Sequence, residues 1–191
     1  WVEGLRAGLP ELPAARKARF AVDFGLSETD AEVLTAERAV ADFFEGAARA
    51  FAGDPKKVAN WVMGDVLRVM HETGLTPETA QGTPEAFAAL VALVEEGKIS
   101  AKSGHDIFLE VWRDGADPAE LVKARGLAQQ SDAGALEAVV DEIIAANPSE
   151  AERFRGGDGK LMNFFLGQVM RKTRGQANPA VVQQLVKQKL G

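Results

Sequence analysis

The sequence predicts an all-α fold for this chain of 191 residues. Three patterns support that prediction: residue pairs that end in proline, apolar residues at helical spacing, and glycines that follow the apolar runs. No stretch shows sustained alternation with β-branched enrichment, so no strand is expected. Apolar residues make up 46% of the sequence and charged residues 26%, which is typical of a folded chain and not of a disordered one.

Helix starts are predicted where Asp, Asn or Thr precedes proline. The pairs are Asp54-Pro55, Thr83-Pro84, Asp117-Pro118, Asn147-Pro148 and Asn178-Pro179. The first side chain can accept a backbone N–H of the first turn, and proline at the next position loses no helical hydrogen bond. The sequence from Asn147 to Glu150 also resembles a capping box. Further predicted caps are Ser27, Ser100 and Ser131.

Apolar residues between these starts follow a helical period. The clearest stripe has offsets of 0, 3, 4, 7 and 8 residues and consists of Leu136, Val139, Val140, Ile143 and Ile144. Similar stripes contain Phe87, Leu90, Val91 and Val94, and then Phe108, Val111 and Trp112. Such stripes predict helices with one face in a core. Glycines that suit left-handed helix ends follow at Gly74, Gly97, Gly115 and Gly126.

The polar stretch from Ala124 to Ser131 is the predicted domain linker. It separates a multi-helix bundle domain, residues 1–125, from a small helical tail domain, residues 126–191. Charge also divides unevenly along the chain. The net charge is −6, yet residues 153–191 hold eight Lys and Arg side chains and a single acid, Asp158. This bias predicts that the C-terminal module binds a polyanion.

One helix is predicted to carry much of that charge. Its core residues are expected to be Leu161, Phe164, Phe165, Val169 and Met170, and Gly167 could let a second helix approach closely. The predicted phosphate contacts are Lys160, Arg171, Lys172, Arg174, Lys187 and Lys189. Because the module has no exposed aromatic pairs, we expect contact with the RNA backbone more than stacking on bases.

Residue supply argues against most catalytic chemistry. Cysteine is absent, which excludes thiol nucleophiles and Cys-ligated metals. The two histidines, His71 and His105, have no second histidine at metal-ligand spacing, so no metal ligand and no catalytic residue is predicted. The run from Gly156 to Lys160 resembles a phosphate loop, but Leu161 stands where Ser or Thr should hold magnesium. That run could still receive a single phosphate.

Cellular context is inferred from three further absences. No apolar run approaches the ~20 residues of a membrane span, and no membrane or DNA partner is expected. The lack of cysteine favours the cytoplasm. The chain opens at Trp1 with neither an initiator methionine nor a signal pattern, so we expect it to begin inside a longer protein.

Several motifs resemble a known family. The most specific are Gly167-Gln168-Val169-Met170-Arg171 and Gly175-Gln176-Ala177-Asn178-Pro179. Others are Ala59-Asn60-Trp61, Gly97-Lys98-Ile99-Ser100, Ala101-Lys102, Gly126-Leu127 and Gln130-Ser131-Asp132. From about Leu12 to Leu190 the chain resembles the C-terminal half of GatB, the tRNA-modifying component of aspartyl/glutamyl-tRNA(Asn/Gln) amidotransferase.

The resemblance implies a helical domain followed by a YqeY-like tail domain. It also implies an enzyme that converts Glu-tRNA(Gln) or Asp-tRNA(Asn) to Gln-tRNA(Gln) or Asn-tRNA(Asn), with the A and C subunits of the amidotransferase as partners. ATP and magnesium would act in the N-terminal half of GatB, so we expect this chain to bind no cofactor and to be inactive alone. The tail would approach the outer corner of the tRNA. Two alternatives stay open: a protein-interaction adaptor and a stand-alone YqeY-like protein.

Overall fold

A computed structural model describes residues 11–130 and 133–191 of the chain. The predicted all-α fold is confirmed there: no β-strand occurs in the described ranges, and an isolated parallel bridge joins Gln130 to Ala177. The α-helices are α1 (Pro13–Asp23), α2 (Glu28–Thr35), α3 (Arg38–Ala50), α4 (Pro55–Trp61), α5 (Leu67–Thr73), α6 (Pro84–Glu95), α7 (Ala101–Asp114), α8 (Pro118–Arg125), α9 (Ala133–Ala146), α10 (Pro148–Arg155), α11 (Leu161–Lys172) and α12 (Pro179–Leu190). None of these helices is long and apolar enough to cross a membrane.

Most predicted helix caps are confirmed by a side-chain oxygen that accepts a backbone N–H. The acceptor to N distances lie between 2.9 and 3.1 Å for Ser27, Asp54, Thr83, Ser100, Asp117 and Asn178. Each bond satisfies a first-turn donor that has no partner within its own helix. The cap predicted at Ser131 lies outside the described residues.

The predicted capping box at Asn147 is wrong. Helix α10 does begin at Pro148, but the Asn147 side chain forms no cap bond there. Its Nδ2 instead donates to the carbonyl oxygen of Ile143 at 2.8 Å, so the amide satisfies the end of α9. Glu150 accepts from the Ser149 hydroxyl at 2.8 Å.

The predicted glycine positions have two outcomes. Gly74, Gly97, Gly115 and Gly126 all have positive φ angles, between 61° and 72°, as left-handed helix ends require. The close helix approach predicted at Gly167 is wrong, because a Cβ atom placed there would meet no atom within 4 Å. Gly167 is an exposed residue within α11.

A π-helical turn, which the sequence did not indicate, lies between α4 and α5. It spans Val62–Val66 and places the Asp65 carboxylate in a largely buried position. Asp65 Oδ1 accepts a hydrogen bond from Arg68 Nη2 at 3.2 Å and lies 3.0 Å from His105 Nδ1. The insertion is therefore compatible with a buried charge, because that charge has polar partners.

The described residues divide into two compact units. The first holds those up to Leu93 together with Gly104–Leu121, and the second holds Val94–Ser103 and those from Val122 onward. The first unit has an aromatic core in which the Phe43 and Trp112 rings lie 5.0 Å apart, with Phe87 and Phe108 5.8 Å apart. The domain boundary at residue 125 stays a prediction, because a compact unit need not fold alone.

The core of the second unit forms where α9, α11 and α12 meet. The stripe predicted on α9 is confirmed: Leu136, Val140 and Ile143 are buried, with Val139 and Ile144 packed against them. The predicted core of α11 is also confirmed: Phe165 and Val169 are buried, and Leu161, Phe164 and Met170 pack beside them. These contacts leave the polar residues of α11 and α12 on the outer surface.

Candidate polyanion-binding surface

Helices α11 and α12 determine where the cations of the second unit lie. Phe165 and Val169 hold α11 in the core, so Lys160 lies just before its first residue and Arg171 lies in its last turn. Val186 and Leu190 anchor the end of α12 in the same way, which places Lys187 and Lys189 in its last turn. The helices thus carry the predicted cations at their ends, where cations favour the C-terminal dipole.

Four of the predicted site residues have exposed side chains with no internal partner. Within the described residues, no hydrogen bond or ion pair occupies the side chains of Lys160, Arg171, Arg174 and Lys187. We call these four the free cations. A charge without an internal partner keeps its full attraction for an external anion, so this subset is suited to phosphate contact.

Two predicted site residues are held by acids of the same unit. Lys189 Nζ lies 2.7 Å from Asp141 Oδ1 and 2.8 Å from Glu137 Oε1. Hydrogen bonds to Asp141 and then Glu137 raise the pKa of the Lys189 ammonium. Lys172 forms an ion pair with Glu142. All three acids lie on α9, so this helix neutralises the two lysines.

The glycine run before α11 forms a polar turn. Asp158 Oδ2 accepts from Arg153 Nη2 at 2.8 Å, and the Asp158 amide donates to the Arg153 carbonyl oxygen at 3.1 Å. As predicted, a helix leads into the run, because α10 ends at Arg155. Lys160 lies next to Leu161 and makes no side-chain cap bond. The turn therefore presents one free cation and one paired carboxylate.

The histidines have separate environments. His71 is exposed in the last turn of α5, as predicted. The His105 ring stacks on Trp61 with centroids 4.4 Å apart and an interplanar angle of 22°, beside the Asp65 carboxylate. No group of three or more His, Asp or Glu side chains in the described part of the chain is arranged to hold a metal ion.

The family model described as "GatB domain" (GatB_Yqey) matches residues 42–190. The chain belongs to the GatB/Yqey family. Similar proteins share the resemblance: a relative from Oleidesulfovibrio alaskensis is 55% identical over 191 residues, which is 100% of this chain and 40% of that protein. One from Solidesulfovibrio magneticus is 53% identical over 186 residues, 97% of this chain and 39% of that protein.

A third relative, from Geotalea daltonii, is 47% identical over 190 residues, which is 100% of this chain and 40% of that protein. All three carry the name of the B subunit of aspartyl/glutamyl-tRNA(Asn/Gln) amidotransferase. This GatB/Yqey chain spans about 40% of the length of the curated relatives it matches. The predicted resemblance is therefore confirmed for the family.

Three of the motifs that carried the resemblance meet through backbone hydrogen bonds in this GatB/Yqey chain. The Gln129 amide donates to the Lys98 carbonyl oxygen at 2.6 Å, and the Gln130 amide donates to that of Gln176 at 2.6 Å. The Asn178 amide donates back to Gln130 at 3.1 Å. We call this meeting point the motif junction. Sequence reasoning missed it because backbone pairing between distant loops leaves no periodic signal.

Proposed function

We propose that this chain is the corresponding region of GatB in an aspartyl/glutamyl-tRNA amidotransferase and that its C-terminal unit docks tRNA. The observation that supports docking most directly is the set of four free cations, Lys160, Arg171, Arg174 and Lys187. Each can neutralise a phosphate and release its counterion. We leave Lys172 and Lys189 as weaker contacts, because their ammonium groups already lie beside carboxylates.

Aromatic packing favours recognition of the RNA backbone over recognition of its bases. Stacking on an unpaired base requires an exposed ring. Phe154 and Phe164 lie against the buried Phe165 ring, with centroids 6.1 Å and 5.4 Å away. The rings of residues 153–191 therefore belong to the core, and the free cations remain to contact phosphates.

The proposal gives the chain a positioning role and not a chemical one. In the parent enzyme, ATP and magnesium would bind in the N-terminal half of GatB, and the A and C subunits would complete the complex in the cytoplasm. Docking tRNA(Gln) or tRNA(Asn) at a remote corner would lower the entropic cost of presenting the aminoacyl end. The first unit would act as a spacer between those two places.

A salt titration with labelled tRNA tests the proposal. We expect saturable binding of tRNA(Gln) or tRNA(Asn) by fluorescence anisotropy, with an affinity that falls linearly with salt on logarithmic axes. Replacing all four free cations by alanine should reduce that slope by about 3, because each phosphate contact contributes roughly 0.7–0.9. The matched control removes four exposed cations of the first unit, Arg38, Lys56, Lys57 and Arg113, and should leave the slope unchanged.

A protein-docking adaptor is the second candidate function. The ion pairs of Lys189 with Glu137 and Asp141 favour it, because they show that cations of this module can select carboxylate partners. If tRNA fails to bind at low salt, the docking proposal is wrong and the adaptor becomes the better candidate. In the parent enzyme, tRNA docking predicts a raised tRNA KM for the four-alanine variant, with glutaminase and ATP chemistry intact.

A further inference from the structure

Arg174 has a backbone conformation that disfavours its side chain. Its φ angle is 53°, and it is the non-glycine residue with a positive φ in the described ranges. For L-residues other than glycine, asparagine and aspartate, this left-handed region brings Cβ too close to the backbone. Glycine is the usual residue where a helix ends in this conformation, so the arginine is unexpected after α11.

The surrounding loop, Thr173–Asn178, holds Arg174 in that conformation. On one side the Gly175 amide donates to the Met170 carbonyl oxygen at 2.7 Å. On the other side Thr173 Oγ1 accepts from the Ala177 amide at 3.2 Å and donates to the Val169 carbonyl oxygen at 2.8 Å. The motif junction fixes the loop again through Gln176 and Asn178. A strained residue persists only where its surroundings determine it this strongly.

Nothing in the described part of the fold uses the Arg174 side chain. It is exposed and forms no hydrogen bond or ion pair with any described residue. The nearby Arg171 side chain, three residues earlier, is also free. Guanidinium groups bind phosphate oxygens through two parallel N–H donors, which makes their orientation matter more than that of an ammonium group. A rigid loop that carries an arginine is therefore suited to phosphate recognition.

We propose that Arg174 is the anchor of the RNA phosphate contact and that the Thr173–Asn178 loop pre-positions its guanidinium at the expense of stability. The inference rests on the proposed function, because it names the residue that dominates the same surface. A contact held by a fixed backbone loses less conformational entropy on binding than one made by a flexible lysine at a helix end. The other free cations then steer and supplement.

Two variants of this chain separate anchoring from simple charge. Arg174→Gly should raise Tm by about 2–4 °C through relief of strain and lower tRNA affinity about tenfold, with a salt slope reduced by roughly 0.7–0.9. Thr173→Ala keeps every charge but removes the hydroxyl that fixes the loop. It should lower affinity several-fold with the salt slope unchanged, and Thr173→Ser should restore binding. Arg171→Ala is the charge control, because it should weaken binding without raising Tm.

The outcomes distinguish the inference from the function on which it rests. Absence of tRNA binding by the unaltered chain would overturn the proposed function and the anchor with it. If the four-alanine variant loses binding but Arg174→Gly binds as tightly as the unaltered chain, docking stands and the anchor is wrong. If Arg174→Gly weakens binding without raising Tm, or Thr173→Ala binds normally, the pre-positioning loop is wrong.

Discussion

Glu45 on α3 accepts two hydrogen bonds from Arg19 on α1, from Nη1 at 2.9 Å and from Nη2 at 3.1 Å. Arg16 Nη2 adds a third bond to the same carboxylate at 2.9 Å. The Glu45 side chain is only 13% exposed, so these bonds are shielded from water. The bond from Arg19 is the main reason that the pKa of Glu45 lies below its usual range. One carboxylate therefore fastens α1 to α3.

Removing the Glu45 charge should destabilise the first unit. Glu45→Gln keeps the side-chain shape but leaves Arg16 and Arg19 with a neutral partner that can accept at one atom only. We expect the free energy of unfolding to fall by about 2–3 kcal/mol, since hydrogen bonds to charged groups contribute more than neutral ones. Urea denaturation would measure the loss. Asp114→Asn is the control, because its ion pair with the adjacent Arg113 is exposed and its removal should leave Tm unchanged.

The same carboxylate predicts a dependence of stability on acid pH. The pKa of Glu45 is lower in the folded chain than in the unfolded chain, so its contribution is complete above the unfolded value of about 4.3 and is lost as the pH falls through the folded value. The difference in unfolding free energy between the unaltered chain and Glu45→Gln should stay constant from pH 7 to about pH 5 and shrink below about pH 4. A difference that grew on acidification would contradict this assignment.

Gly167 offers a stabilising substitution. It lies within α11, and a Cβ atom there would meet nothing within 4 Å. Gly167→Ala should raise the free energy of unfolding by about 0.5–1 kcal/mol, because alanine loses less backbone entropy in a helix. Gly46 on α3 is the matched control: its Cβ would lie 3.0 Å from Pro84 Cβ, so Gly46→Ala should give no gain. Thermal unfolding of both variants provides the measurement.

Two Asx-Pro pairs with similar sequences should respond oppositely to exchange of amide and carboxylate. Asp54 accepts the Lys56 amide at 3.0 Å, and either Asp or Asn can do so, so Asp54→Asn should be close to neutral. Asn147 donates through Nδ2 to the Ile143 carbonyl oxygen, and a carboxylate cannot donate. Asn147→Asp should therefore cost about 1–3 kcal/mol in chemical denaturation. Equal stability of the two variants would mean that Asn147 caps α10 after all.

The contrast between these pairs shows how far local patterns reach. Helix positions, most caps and the core stripe on α9 could be predicted because they depend on residues within a few positions of one another. The role of Asn147 could not, because two helices compete for its side chain. A pattern of residue types shows that a cap is available, but it does not show which helix end the side chain satisfies.

Long-range pairing limited the prediction of the site in the same way. Lys187 and Lys189 both appear as cations in the last turn of α12, and nothing in the local sequence distinguishes them. The difference arises because Glu137 lies 52 residues before Lys189 and reaches it only when α9 and α12 pack together. The motif junction also depends on contacts between distant loops. Charge bias could locate the surface, whereas the fold selects which of its cations stay free.

This difference makes Lys187 and Lys189 a sharp test of the surface. Lys187→Ala removes an exposed charge with no partner among the described residues, so it should weaken tRNA binding and reduce the salt slope by roughly 0.7–0.9 at unchanged Tm. Lys189→Ala leaves Glu137 and Asp141 side by side on α9 without their shared cation. It should lower Tm, and it should change the salt slope less than Lys187→Ala does.

Stability as a function of pH provides a second, independent check on Lys189. The pKa of Lys189 is raised in the folded chain, so its contribution is complete below the unfolded value of about 10.4 and is lost as the pH rises through the folded value. The unaltered chain and Lys189→Ala should therefore differ in Tm at pH 7 and converge at strongly alkaline pH. Lys187→Ala should match the unaltered chain across that range. If both lysines instead gave equal losses of tRNA affinity and no change in Tm, the ion pairs on α9 would not distinguish them, and the polyanion surface would include Lys189 on equal terms.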